Sequence, residues 1–285
     1  MYHDIRDNKN SNFDNRYNLK SFMNINDFKN QLKYLKNNFN IINSCEIQDV
    51  INSKHDHALL TFDDGLFDHY HVGEILSDFK ISGTFFIPTQ SVRDRVVMRS
   101  HKIQFILSCS DEKKLTNQIL SLTNNNLWNK YSVSKWKDNW WSPEMVFVTN
   151  ILRYFDDGTI TDKLFSEIVS NDEVGFCDEF YLNEKQIKTL VSGGHKIGGH
   201  GFTSHILPEL PDQELDIKES LDYISKFTTN EISFSYPNGK YNKETIEILR
   251  KYDCKFSYTV VKENITKETS MLEIPRYDGP QDIII

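Results

Sequence analysis

"LLTFDDGLFDHYH", residues 59–71, decides the fold. A short apolar and aromatic run of strand length stops at two adjacent aspartates, Asp63 and Asp64, and then a glycine. A stretch containing His69 and His71 follows. Neighbouring carboxylates repel each other, so this strand end calls for positive charge close by. "HALLTF" (57–62) reads as a buried strand ending at Asp63, "FDHYHVGEILSDF" as a helix, and "GTFFIPT" (83–89) as a second buried strand. Strand, helix and strand with short connections form the pattern of a parallel sheet, whose ligands gather at the carboxyl ends of the strands. Asp63 and Asp64 stand at such an end.

The same pattern holds on either side. "INDFKNQLKYLKNNF" places Phe28, Leu32 and Leu35 on one helical face. From about residue 92 to 182 the reading is mainly helical, with "HKIQFILS", "KKLTNQIL", "SPEMVFVTNILRYF" and "TDKLFSEIVS" separated by polar breaks. This stretch holds Trp128, Trp136, Trp140 and Trp141. They read as the insertion's own small core, with a sugar-stacking platform as the sharper alternative. Strands then resume as "HKIGG" (195–199), "ISFSY" (232–236), "CKFSYTV" (254–260) and "LEIPR" (272–276). Between them "DQELDIKESLDYISKF" puts Ile217, Leu221 and Ile224 on one face. The expected organisation is one domain over 1–285 with a mainly helical insertion at about 92–182. The Asn-rich first 20 residues read as loop.

Bulk properties narrow the class. In 285 residues, 38% apolar with 19 Phe and 13 Tyr, there is enough material for an aromatic-rich core. A net charge of -8 argues against a nucleic-acid backbone or an anionic membrane as partner. No apolar run is long enough to span a bilayer. "MYHDIRDNKNSNF" lacks a basic n-region and an apolar h-region, so a cytoplasmic location is expected, or an exported one if a leader has been removed. Cys45, Cys109, Cys177 and Cys254 form no CxxC and fit reduced thiols.

A second cluster speaks to the carboxylates. "IGGHGFTSHILPEL" puts His200 and His205 just after a strand. On a helix, five residues apart would point them about 140° away from each other. They converge only if "GFTS" is a loop. With Asp64 they make a two-histidine, one-carboxylate set suited to Zn²⁺ or a similar divalent ion with open positions. One carboxylate would take the metal and the other stay free as a base. Two turn histidines and a helix-capping Asp is the competing reading. Non-haem iron oxygenases share this ligand set but sit in double-stranded β-helices, unlike the alternation seen here.

"TFDDG", the histidine cluster and "FSYPNG", in that order, resemble the polysaccharide deacetylases of the NodB type, carbohydrate esterase family 4. "TFDDG" followed some 20 residues on by "GTFFIPT" strengthens the resemblance, which covers most of 1–91 and 183–280. It implies a distorted (β/α)7 barrel, here with a helical insertion, and one catalytic metal, usually zinc. By the resemblance Asp63 is the general base, and Asp64, His200 and His205 are the ligands. The HxxxxH spacing departs from the common HxxxH and is similar to the branch of biofilm poly-N-acetylglucosamine deacetylases. In that branch an N-terminal Tyr-His motif supplies the general acid. This chain begins "MYHDI" and has no histidine after His205, so His3 is the candidate. His69 and His71 read as solvated-face helix histidines, and His101 as structural. "SYPNG" resembles the family's third motif, with the Asn238 N–H offered to the oxyanion and Tyr236 and Pro237 forming the wall. The family's base-holding arginine has no match in "ISFS"; Arg276 of "EIPRYD" is its expected substitute, against the alternative of a surface ion pair.

The activity implied is metal-dependent removal of an N-acyl group, most simply acetyl, from an amino sugar in surface polysaccharide synthesis. Its carrier would be a nucleotide, a lipid or an oligosaccharide. A deformylase and a catalytically inactive sugar-binding relative are the alternatives. Co²⁺, Ni²⁺ or Fe²⁺ could replace Zn²⁺.

Overall fold

The structure, a computed structural model, describes residues 1–7, 22–123, 127–132, 142–228 and 231–283. The chain folds as two compact units. One comprises Met1–Asp7, Phe22–Val96 and Cys177–Ile285, and the other includes Val97–Phe176.

The first unit holds every described strand: β1 (Ile5–Arg6), β2 (Met23–Asn24), β3 (Asn40–Ile41), β4 (His57–Ala58), β5 (Thr61–Phe62), β6 (Thr84–Ile87), β7 (Lys196–Gly199), β8 (Ser233–Ser235) and β9 (Phe256–Tyr258). β5 to β9 lie side by side in chain order as one parallel sheet. Tyr2 adds a parallel bridge to Phe62 at one edge, and Ile274 adds one to Tyr258 at the other. Five strands and two bridged segments make seven parallel contributions. That is the curled sheet of a distorted (β/α)7 barrel. β1 pairs with β2 and β3 with β4, both parallel.

"HALLTF" is two strands rather than one. β4 pairs with β3 while β5 pairs with β6, so the chain changes partner between them. "LEIPR" makes its sheet contact through a bridge at Ile274, whose N–H donates to the Ser257 carbonyl and whose carbonyl accepts from the Thr259 N–H.

Helices Ile25–Asn38, Asp68–Asp78, Glu184–Ser192, Gln213–Ile224 and Lys243–Lys251 alternate with the sheet. Asn24, Asn183, Asp212 and Asn242 cap four of them with side-chain oxygens. The core is organised by strand register. Tyr2, Phe62 and Phe85 are stacked neighbours across the sheet, with centroids 5.5 and 4.7 Å apart, and Phe28 meets Tyr2 edge-on. Burying such rings contributes about 1.5–3 kcal/mol each. Since successive residues face opposite ways, Phe62 in the core puts Thr61 and Asp63 on the other face.

The second unit is helical: Arg99–Cys109, Glu112–Leu122, Leu127–Tyr131, Pro143–Tyr154 and Thr159–Ile168. Phe147, Ile151 and Phe165 are among its buried residues. It is narrower than 92–182, because the Thr89–Arg93 helix and residues 177–182 pack with the sheet unit. The Gln90 N–H donates to the Phe202 carbonyl, and Tyr181 bridges Leu66. Trp128, half-buried, packs on Phe147 with ring centroids 5.0 Å apart. Trp136, Trp140 and Trp141, and the Asn-rich 8–21, lie outside the described residues.

Candidate active site

Asp63 follows β5 and is 2% exposed. Arg276 grips it with both ends of its guanidinium, Nη1 to Oδ1 and Nη2 to Oδ2, each at 2.8 Å. The Ser235 hydroxyl donates to Oδ2 at 3.0 Å. Arg276 is itself pinned, donating from Nε to the Thr259 carbonyl, from Nη1 to the Thr61 hydroxyl and from Nη2 to Ser235. Burial alone would push the Asp63 carboxyl up, but the Arg276 charge and then His200 outweigh it, holding the group well below the usual carboxylate range. The alternative of a surface ion pair does not describe this contact, since both partners are buried.

Asp64 takes a left-handed conformation, φ 78°, and Gly65 follows at φ 57°. A Cβ at position 65 would press on Pro88 and Ile87 at 3.2–3.3 Å, so glycine suits both the turn and the space. The reversal separates the two neighbouring carboxylates. Asp63 goes to Arg276, while Asp64 Oδ1 lies 3.5 Å from His200 Nε2.

His200 is buried, and its Nδ1–H donates to the Ser235 carbonyl at 2.8 Å, which turns the other ring nitrogen, Nε2, toward Asp64. That is how a metal-ligating histidine is oriented. Burial lowers the His200 pKa, but the bond to Asp64 and the Asp63 charge more than reverse it. The donor chemistry of Asp64 and His200 therefore fits a divalent ion. His205 stands apart as an exposed residue on the loop after Gly201, its N–H donating to Thr203 Oγ1 at 3.4 Å. Among the described residues no three His, Cys, Asp or Glu side chains form a set able to hold a metal.

His3 reaches the same strand end through backbone pairing. The Tyr2 N–H donates to the Thr61 carbonyl at 2.8 Å and the Asp63 N–H to the Tyr2 carbonyl at 2.9 Å, so His3 follows Tyr2 as Asp63 follows Phe62. Its ring is partly exposed. His71 is solvent-facing beside Glu74. His69 is not: it is fully buried. The signal was present in the sequence, because His69, Val72, Gly73 and Leu76 are the buried i, i+3, i+4, i+7 face of their helix. His101 is buried in the helical unit.

In "SYPNG", Tyr236 is buried with its hydroxyl donating to the Leu272 carbonyl, and Pro237 is buried beside it. Asn238 is exposed and left-handed at φ 55°. Two contributors escaped the sequence reading. Ser235 serves Asp63 with its hydroxyl and His200 with its carbonyl. Asp216, buried on the Gln213–Ile224 helix, accepts from the Phe202 and Thr203 N–H groups and so shapes the loop that carries His205. Neither residue lies in a local pattern that marks such a role.

The parallel (β/α) barrel thus sets a charge-compensated aspartate beside an aspartate–histidine pair at the carboxyl ends of its strands. The family model for polysaccharide deacetylase matches residues 146–257, a stretch that contains His200, His205 and "SYPNG" and begins after Asp63. Three solved structures share the fold. The Streptococcus pyogenes deacetylase PplD in complex with acetate is 18% identical, with a TM-score of 0.57 over 98% of this chain and 89% of that one. A polysaccharide deacetylase from Bacillus cereus is 17% identical, with a TM-score of 0.58 over 98% of this chain and 63% of that one. IcaB from Ammonifex degensii is 17% identical, with a TM-score of 0.56 over 98% and 94%. No curated protein matches. The chain matches the polysaccharide deacetylase family model over residues 146–257 and shares the fold of solved deacetylases.

Proposed function

We propose that this chain is a metal-dependent amidohydrolase that removes an N-acetyl group from an amino sugar of a surface polysaccharide or its precursor. The observation that carries this reading is the division of labour between adjacent carboxylates: Asp63 is kept ionised by Arg276 while Asp64 faces His200. The acetate in complex with the S. pyogenes deacetylase supports acetyl as the acyl group.

Asp64, His200 and His205 would hold the divalent ion, Zn²⁺ in the first place, whose chemistry is to polarise the acyl carbonyl and acidify water. Asp63 takes the proton of the attacking water. The Asn238 N–H faces the developing oxyanion, a donor of a kind typically contributing about 3–4 kcal/mol, and Tyr236 and Pro237 wall the acyl pocket. His3 gives a proton to the departing amine, a step contributing roughly 10²–10⁴-fold. The substrate carrier is a nucleotide, a lipid or an oligosaccharide. No helix of the described residues is long and apolar enough to cross a membrane.

The test is mass spectrometry of N-acetylated and N-formylated nucleotide sugars, lipid-linked sugars and oligosaccharides incubated with metal-loaded protein. Loss of one acetyl mass with wild type and none with Asp63→Asn is expected. Loss of formyl mass alone would make it a deformylase, and no loss on any substrate would leave a sugar-binding relative. Elemental analysis should show metal lost from Asp64→Ala and His205→Ala; full occupancy in both would overturn the ligand set.

A further inference from the structure

His69 is fully buried, with its ring against Phe62 and Phe85 at centroid distances of 5.9 and 5.6 Å. Its Nε2 lies 2.7 Å from the carbonyl oxygen of His3. A carbonyl only accepts, so Nε2 carries the hydrogen. Nδ1 has no hydrogen-bond partner among the described residues, consistent with a ring that makes this one bond. Burial lowers the His69 pKa to about 4 against the opposing effects of the His3 carbonyl, Asp64 and Asp4, so the ring is a neutral donor at pH 7. The other backbone bonds on this segment act on its neighbours: the Tyr2 N–H and carbonyl pair with β5, and the Asp4 carbonyl accepts from Met23. The bond from His69 reaches the carbonyl of His3 itself.

We propose that His69 is a positioning residue for the general acid: by donating Nε2–H to the His3 carbonyl it fixes the backbone at residue 3 and so aims the His3 imidazole at the leaving amine. The inference rests on the reading of His3 as the acid. An acid misplaced by about 1 Å can cost on the order of 100-fold in rate, so one buried bond suffices to matter.

The test uses the metal-loaded protein with two substrates: the N-acetyl sugar turned over fastest by the wild type, and an aryl acetate. The amine must be protonated to leave, whereas a phenolate departs without a proton. His69→Phe keeps the buried ring and removes the donor; His69→Gln keeps a donor. His69→Phe should lower kcat on the amide roughly 10- to 100-fold with KM and aryl acetate turnover nearly unchanged. His69→Gln should recover most of the loss. Adding His69→Phe to His3→Ala should cost nothing more, because the two act through one group.

Equal losses on both substrates, or a further loss in the His3→Ala background, would make His69 merely structural and overturn the proposal. Wild-type amide turnover in His69→Phe, with turnover lost in His3→Ala, would overturn the positioning role alone. Full amide turnover in His3→Ala would instead remove the acid reading on which it stands.

Discussion

The two segments that flank the parallel sheet do the same structural job by different means. Residues 272–276 join β9 through one bridge at Ile274 and deliver Arg276, a residue 5% exposed whose guanidinium is held at all three nitrogens. Residues 2–4 join β5 through one bridge at Tyr2 and deliver His3, which is held through its backbone while its ring stays partly exposed. The contrast matches the roles proposed. A group that fixes the charge of a base should be buried and immobile, since low dielectric strengthens its field. A group that surrenders a proton each turnover needs access to water to regain it.

The largest effect should follow from breaking the rigid edge. Arg276→Met leaves the Asp63 carboxylate buried without its partner, which typically costs about 3–5 kcal/mol, to be read from denaturant unfolding. The pH dependence should change sign as well. In the wild type the Asp63 pKa lies below its ordinary 3.8, so its stabilising contribution is present above that pH and is lost as pH falls. In Arg276→Met burial dominates, the folded pKa rises above the unfolded one, and stability is instead lost as pH rises through the carboxylate range. The acid limb of kcat/KM should move up with it. An unchanged pH profile would mean that Arg276 does not set the charge of Asp63.

How far this site could be read from the chain depended on whether a residue's partners are local. The β5–helix–β6 unit was legible because strand, turn and helix patterns sit within 30 residues, and Asp63 and Asp64 fall at its strand end. Arg276 could be named only as a residue at a late strand end; its grip on Asp63 spans a separation of 213 residues that no periodicity encodes. A serine in "ISFSY" reads as strand filler, and the Ser235 hydroxyl and carbonyl acquire their uses only when β8 lies in the curled sheet. The fate of His205 was open for another reason. A loop histidine has no register to fix it, and it is the one proposed ligand found exposed.

The proton-donating edge should respond in rate rather than stability. His3→Ala should reduce amide turnover by roughly 10²–10⁴-fold. Because the ring is partly exposed, unfolding free energy should change by less than about 1 kcal/mol. Metal content by elemental analysis should equal wild type. A matching loss of metal would turn His3 from acid into ligand and erase the contrast between the two edges.

The smallest effect separates anchoring from aiming within residues 2–4. Tyr2→Phe keeps the stack on Phe62 and the edge contact with Phe28 but removes the hydroxyl that donates to Gln31 Oε1 at 2.9 Å. Gln31 is buried and spends its amide hydrogens on the Gly279 and Ile283 carbonyls, so the lost bond leaves its oxygen unsatisfied, at about 1–3 kcal/mol. Turnover should hold nevertheless. The bonds of Tyr2 to Thr61 and Asp63 are backbone bonds and survive, as does the His69 bond to residue 3. Measured together, a drop in unfolding free energy with unchanged kcat would show that Tyr2 anchors the segment while its backbone and His69 aim it. A parallel drop in kcat would show that the tyrosine hydroxyl is also needed to aim His3, and that this edge resembles the rigid one more closely than its exposed ring suggests.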